Sequence, residues 1–404
     1  MNMEMDVLKT ILFAVFLLLL GGKIKGKFKI FTKYCIPASV IGGLLFAILA
    51  LLFKNLGIVT FAFDKGIQKL FMNVFFAASG CAAGLGLLKT GGKKVGIFVV
   101  LAAALAFLQN SVAVGVGKLL NVQPLIALMT GSVPMTGGHG NSAAFAPIAE
   151  GFGATGAMSV AIAAATFGLC AGSIIGGPVG NRLVSKYGLA EAGSKDSIGN
   201  AAAEVAADTQ RVFLDKKRTT EAVFIVLVSV GLGSYIFDLA KVALPNVVLP
   251  IHVMCMLAGV IVRNVYDAIK KPTDKAIYQE IDVIGEVSLG LFVTMAIMSM
   301  RLWELAALAV PMMVLLFAQI LLVYLFVTQV TFRAMGKDYD AAVMAVGHLG
   351  FGTGAVPVSM TTMKTVCDKY SYSRIAFFVV PIVGGLISNF TNSAIITAFL
   401  NFFK

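Results

Sequence analysis

Charge is scarce in this chain. Asp, Glu, Lys and Arg make up 13% of its 404 residues, against 58% hydrophobic. An ordinary soluble domain is about one-quarter charged, so that class is excluded. Histidine is rarer still: His139, His252 and His348 are the full set. His139 and His348, the two in glycine-rich stretches, have no Cys, Asp or Glu beside them at ligand spacing, which argues against a metal enzyme. Neither has a nucleophile at useful spacing either, which leaves an intramembrane enzyme without its parts. The five cysteines, Cys35, Cys81, Cys170, Cys255 and Cys367, sit in or beside apolar segments with no paired spacing. That excludes a disulfide framework and a thiolate metal site. The single tryptophan, Trp303, stands in Arg301-Leu-Trp-Glu304 and reads as an interfacial anchor. The net charge of +12 comes from lysines and arginines that fall between apolar runs, so it implies membrane loops and no nucleic acid.

What the chain has is apolar runs of about twenty residues, each long enough to cross a bilayer. Ten are predicted, at 7–22, 35–53, 68–88, 95–118, 156–180, 220–240, 249–262, 283–300, 305–330 and 374–401. The first follows the acids of Met1–Asp6. A cleavable leader has the reverse order of charge, so an uncleaved span is expected. Lys23, Lys25, Lys27, Lys29 and Lys33 come next, and the positive-inside rule makes that loop cytoplasmic. Both termini are then predicted outside. Most of the 32 Lys and Arg fall on the cytoplasmic side in this alternation.

Two stretches break the apolar pattern. Ser132–Ser142 reads Ser-Val-Pro-Met-Thr-Gly-Gly-His-Gly-Asn-Ser, and Val346–Ala355 reads Val-Gly-His-Leu-Gly-Phe-Gly-Thr-Gly-Ala. Each joins two half-length segments, as a re-entrant hairpin would: about 124–150 from outside and 341–366 from inside. The expected fold is an all-α polytopic membrane protein of two five-span halves, 1–180 and 220–404, joined by a cytoplasmic linker at 181–219. Each half crosses an odd number of times, so the halves insert with opposite orientation. That is an inverted-topology repeat, as in many secondary transporters. Gln109 echoes Gln319, Gly176-Gly177 echoes Gly384-Gly385, and Thr136–Gly140 echoes Gly350–Gly354, all in one order.

Glycines at such a tip let a ligand approach the main chain. A half-helix that starts there offers free N–H groups to a carboxylate, and one that ends there offers carbonyls to a cation. The substrate-binding candidates are therefore Thr136, Gly137, Gly138, His139, Gly140, Asn141 and Ser142 with Gly350, Phe351, Gly352, Thr353 and Gly354. For His139 and His348 a tip-stabilising hydrogen bond is favoured over substrate or proton handling; His252 reads as structural. Gln109, Asn110 and Gln319 lie in mid-membrane, and Asn389 and Asn392 share a face of the last span. These five either line a cavity and serve Na⁺ or pin helices together. Asp282 and Glu286 read as a wetted helix end.

The sequence resembles the sodium/glutamate symporter family. The resemblance rests on Ser132–Ala144, Leu302-Trp-Glu-Leu305, Tyr339-Asp-Ala-Ala-Val343, Gly347–Ala355 and Val379-Val-Pro-Ile-Val-Gly384. It implies Na⁺-coupled uptake of L-glutamate, with no other cofactor, across the bacterial inner membrane. It also implies a homodimer that moves its transport parts elevator-fashion. A related carboxylate such as citrate or malate is the nearest alternative substrate. A channel is disfavoured, because opposed tips suit alternating access.

Overall fold

A run of apolar residues in lipid must satisfy its backbone internally, and the α-helix does this within one segment. The computed structural model describes residues 2–82, 92–189, 215–270, 276–304 and 308–404. Most of the linker, 190–214, lies outside the described residues. Strand β1 (Asn2–Met5) leads into α1 (Val7–Lys27), whose start is capped by Asp6 accepting from the Lys9 N–H at 2.9 Å. Lys25 and Lys27 close its last turn, where the helix dipole favours cations. The short α2 (Lys29–Lys33) and α3 (Ala38–Asn55) follow, then β2 (Thr60–Phe63) and α4 (Gly66–Ala82). Next come α5 (Gly92–Leu119), α6 (Pro124–Leu128), α7 (Gly138–Gly151) and α8 (Ala157–Lys186).

The second half holds α9 (Lys216–Ala243), α10 (Ile251–Lys270) and α11 (Ala276–Met298). Helix α12 (Ala309–Leu325) continues through a π-helical stretch, Phe326–Thr331, to Ala334. Then come α13 (Tyr339–Gly352) and α14 (Val356–Lys369). The last crossing is α15 (Arg374–Pro381), a second π stretch, Ile382–Ile387, and α16 (Ser388–Phe403). Nine helical segments among the described residues are long and apolar enough to span a bilayer. The described part of α4, at 17 residues, falls just short of that length.

The all-helical expectation needs one amendment. β1 and β2 pair in parallel, Asn2 with Thr60 through Met5 with Phe63. Four-residue strands are too short to show a period-2 pattern in so apolar a chain. The pair fixes the start of α1 and the end of α3 at one end of the bundle. Other contacts collect there. Lys54 lies 3.2 Å over the Trp303 ring, Ser159 donates to Arg301 O, and Asn401 Nδ2 donates to Val248 O. The opposite end carries Arg218 against Glu280 and Lys94 near Asp338.

Helix packing divides the bundle. α1, α3, α4, α9, α10 and α11 pack chiefly on one another, and α5, α7, α8 and α12–α16 form a second group. The first group is held by close backbone approach. A Cβ on Gly259 of α10 would lie 2.3 Å from Ala77 O of α4, and one on Gly42 of α3 would lie 1.9 Å from Leu17 O of α1. Small residues permit such crossings in membranes. Gly259→Val is expected to drive α4 and α10 apart and lower the thermal unfolding midpoint in detergent, at a cost of about 1–3 kcal/mol or more. Gly22→Val, with open space around Gly22, should leave that midpoint unchanged. Equal midpoints for the two variants would refute the close-crossing argument.

Candidate functional site: the paired helix breaks

The two glycine-rich stretches meet. The first break covers 129–137, between α6 and α7, and the second covers 353–355, between α13 and α14. Gly138 opens α7 with φ +60, and a Cβ placed on it would be 2.7 Å from Gly354 O. The left-handed conformation and the carbonyl at contact both demand glycine here.

A cavity of about 320 Å³ lies at this meeting point. Its polar wall comes from Thr136, His139, Asn141 and Asn389. Gly137, Gly138, Gly140 and Gly354 expose backbone to it, and Phe75, Leu169, Leu289 and Phe351 give it an apolar side. Cys35 and Pro37, from the link between α2 and α3, and Ser39, in the first turn of α3, close the rest together with Val356 and Pro357. Among the described residues lining it, none is charged.

Several other helices begin with a capping side chain: Asp6, Asp215, Asp338 and Ser373 each accept a first-turn N–H. The starts of α7 and α14 have no side-chain cap, with Gly137 and Ala355 at the cap positions. Both helices are 14 residues long, so each turns a partial positive end to the cavity. In α7 the Gly138 N–H is spent on Pro134 O, leaving those of His139 and Gly140. In α14 Pro357 has no N–H and Val358 N donates to Ala355 O, leaving that of Val356. Helix starts at an uncharged cavity are of the kind that can receive anionic groups.

The mid-membrane amides brace this arrangement. Gln109 is fully buried; its Nε2 donates to Gly352 O at 2.7 Å and its Oε1 accepts from Thr136 Oγ1 at 2.6 Å. One side chain therefore grips both breaks. Gln319 Nε2 donates to Gln109 O at 2.8 Å. Asn110 Oδ1 accepts from Ser132 N at 2.7 Å, and Asn392 Nδ2 donates to Ser132 O at 3.0 Å. Four of the five amide candidates thus pin backbone, while Asn389 lines the cavity and donates to Gly385 O. Some of their oxygens stay unpaired. Gln319 Oε1, Asn392 Oδ1, Ser132 Oγ and Ser393 Oγ are buried without a partner.

Of the twelve substrate candidates, Thr136, Gly137, Gly138, His139, Gly140, Asn141, Phe351 and Gly354 line the cavity. The other four sit behind it. Ser142 Oγ donates to Gly138 O, Gly350 packs on Ser359, Gly352 O takes the Gln109 bond, and Thr353 Oγ1 donates to Leu349 O. His139 bonds Thr166 on α8 at 3.0 Å. The Thr166 proton is committed to Ile162 O, so His139 Nε2 carries the hydrogen and donates it. His348 is fully buried, bonded to Thr331 at 2.9 Å and stacked on Phe351. Both rings hold the breaks against neighbouring helices. The lining residues absent from the sequence candidates are Cys35, Pro37, Ser39, Phe75, Leu169, Leu289 and Val293, with Ala355, Val356, Pro357, Gly384 and Gly385 near the second break. Gly384-Gly385 was legible as one of the repeat echoes; the apolar walls carry no local signal.

The sequence profile of the sodium/glutamate symporter family matches residues 3–372, across both breaks. The chain belongs to this family. It is 36% identical over 397 residues to the sodium/glutamate symporter of Haemophilus influenzae, covering 98% of this chain and 97% of that protein. It is also 36% identical over 398 residues to the Escherichia coli sodium/glutamate symporter, covering 98% of each. The similarity thus runs over nearly the full length of this chain and of both relatives.

Proposed function

We propose that this protein imports L-glutamate together with Na⁺ by alternating access. The single observation that carries the reading is the convergence of two uncapped helix starts on one uncharged cavity. Glutamate has two carboxylates, and each helix start suits one of them, at about 0.3–2 kcal/mol apiece. Na⁺ takes neutral oxygens, and the unpaired Ser132 Oγ, Asn392 Oδ1, Ser393 Oγ and Gln319 Oε1 supply that donor type close behind the first break. No carboxylate is needed in either role.

The two broken segments are re-entrant hairpins in this reading, and the halves are an inverted repeat. The packing supports it: the first three crossings of each half form one group, and the remaining crossings with both breaks form the other. The first group suits a scaffold. The second suits a unit that slides against it elevator-fashion, within the homodimer that the family resemblance implies. The end bearing β1–β2 is outside, and the lysine-rich end faces the cytoplasm across the inner membrane. Cys35 and Pro37 come from that lysine-rich end and line the cavity, so the cavity is on the cytoplasmic side in this conformation.

Coupling follows from charge. Glutamate carries net −1, and an inside-negative potential of 100 mV opposes its entry by about 2.3 kcal/mol. One Na⁺ makes the step electroneutral, and a second lets the potential assist. Uptake of labelled glutamate into proteoliposomes should require Na⁺ and accelerate when valinomycin and a K⁺ gradient set the inside negative. Uptake indifferent to voltage would reduce the stoichiometry to one, and uptake driven by protons without Na⁺ would remove the cation assignment.

A further inference from the structure

A second and larger cavity, about 630 Å³, lies at the end of the bundle that bears β1–β2. Its walls come from α4, α7 and the start of α10. Lys65, Lys69 and Arg301 line it against a single carboxylate, Glu150. Glu150 already accepts the Met158 N–H at 3.0 Å. The first turn of α10, at Ile251 and His252, forms another part of the wall. A 20-residue helix ends there with donor N–H groups and a partial positive charge.

An independent observation points to a ligand. His252 lines this cavity, is 1% exposed, and its Nε2 has no hydrogen-bond partner. The ring is wedged between Phe76, at 4.6 Å, and Phe145, at 4.7 Å, so it is held where it stands. An unpaired buried nitrogen of this kind is costly unless something completes it. Phe76 packs on Phe75, which walls the tip cavity. A layer of aromatic rings therefore separates the two cavities, and His252 sits on its outer face.

We propose that this cavity is an outer anion site that receives a small carboxylate, the transported substrate itself, before it reaches the helix breaks. The site rests on the symport reading for the identity of its ligand. Its volume suits a small organic molecule, Lys65, Lys69 and a helix start stand against one satisfied carboxylate, and α7 joins its wall directly to the first break. A cationic funnel of this type raises the encounter rate of an anion by roughly 10- to 1,000-fold at low salt.

Proteoliposome uptake at fixed Na⁺, with ionic strength raised by choline chloride, tests this. Wild-type KM should climb severalfold with salt. Lys65→Gln/Lys69→Gln should start about tenfold higher and respond little to salt, with kcat within about twofold. Lys65→Arg/Lys69→Arg should behave as wild type. Occupancy is read separately by placing a thiol at Ser299, an exposed wall residue. With Ser299→Cys, glutamate should slow modification by an anionic methanethiosulfonate even without Na⁺, and the added Lys→Gln pair should abolish that protection. A Lys→Gln pair with wild-type KM and salt response, or no protection at Ser299→Cys, overturns the proposal. Failure of the wild type to take up glutamate with Na⁺ would instead strike the symport reading.

Discussion

Gly138→Val is expected to reduce Na⁺-driven glutamate uptake about 30- to 150-fold while the chain still inserts and purifies. The magnitude comes from the backbone. At φ +60 an L side chain costs roughly 1–2 kcal/mol, and more when it is β-branched. The new Cβ would also press on Gly354 O at 2.7 Å. Gly354 cannot yield easily, because its own Cβ position is 2.7 Å from Leu169 Cδ2. A total of roughly 2–3 kcal/mol against the closed tip translates into that fold-change. The control is Gly140→Ala in the same break. Its Cβ would meet Leu289 at 3.4 Å, an ordinary contact, and most of the uptake should survive. Wild-type rates from Gly138→Val would show that the two breaks need not touch.

The second large effect is at Gln109. Gln109→Leu removes the one side chain that grips both breaks and leaves Gly352 O and the Thr136 hydroxyl without their partner. The buried Gly352 O costs about 1–3 kcal/mol when orphaned, whereas the half-buried Thr136 hydroxyl is left facing the cavity. Uptake should fall by at least about tenfold, and the thermal midpoint in detergent should drop. Gln319→Leu removes a single bond to Gln109 O and should be milder on both measures. A Gln109→Leu protein as stable and active as wild type would mean that the breaks hold together without this amide.

The spans were legible because bilayer thickness fixes their length. The run read at 95–118 became Gly92–Leu119, and the one at 156–180 became Ala157–Lys186. The breaks were legible for the opposite reason: glycines and hydroxyls have no place in a continuous apolar helix. Cavity walls were harder to foresee. Cys35, Phe75 and Leu289 come from segments far apart in sequence, and an apolar residue facing a cavity looks like one facing lipid. Nor did the sequence distinguish an amide that lines a cavity from one that pins backbone, since both are buried and polar. The helix geometry decided it, turning Gln109, Asn110, Gln319 and Asn392 onto main-chain atoms and leaving Asn389 at the cavity. Ser142, Gly350 and Gly352 fell behind the wall because a helix turns about 100° per residue, so neighbours in a motif face different ways, and Thr353 because its hydroxyl caps back onto Leu349 O. The π-helical stretch after Pro381 was likewise invisible, yet it sets Gly384 and Gly385 against the cavity.

The small parallel strand pair has a consequence for how the chain is made. Asn2–Met5 has no strand partner until Thr60–Phe63 has been synthesised and delivered to the same side of the membrane. At 5–20 residues per second that delay is roughly 3–12 s, during which α1 stands in the bilayer with its leading segment unpaired. Closure of the strands then marks the moment when α1 and α3 have both threaded in the correct sense. The pair can therefore close only after α1 and α3 have both been made, and it can do so before either helix break has left the ribosome.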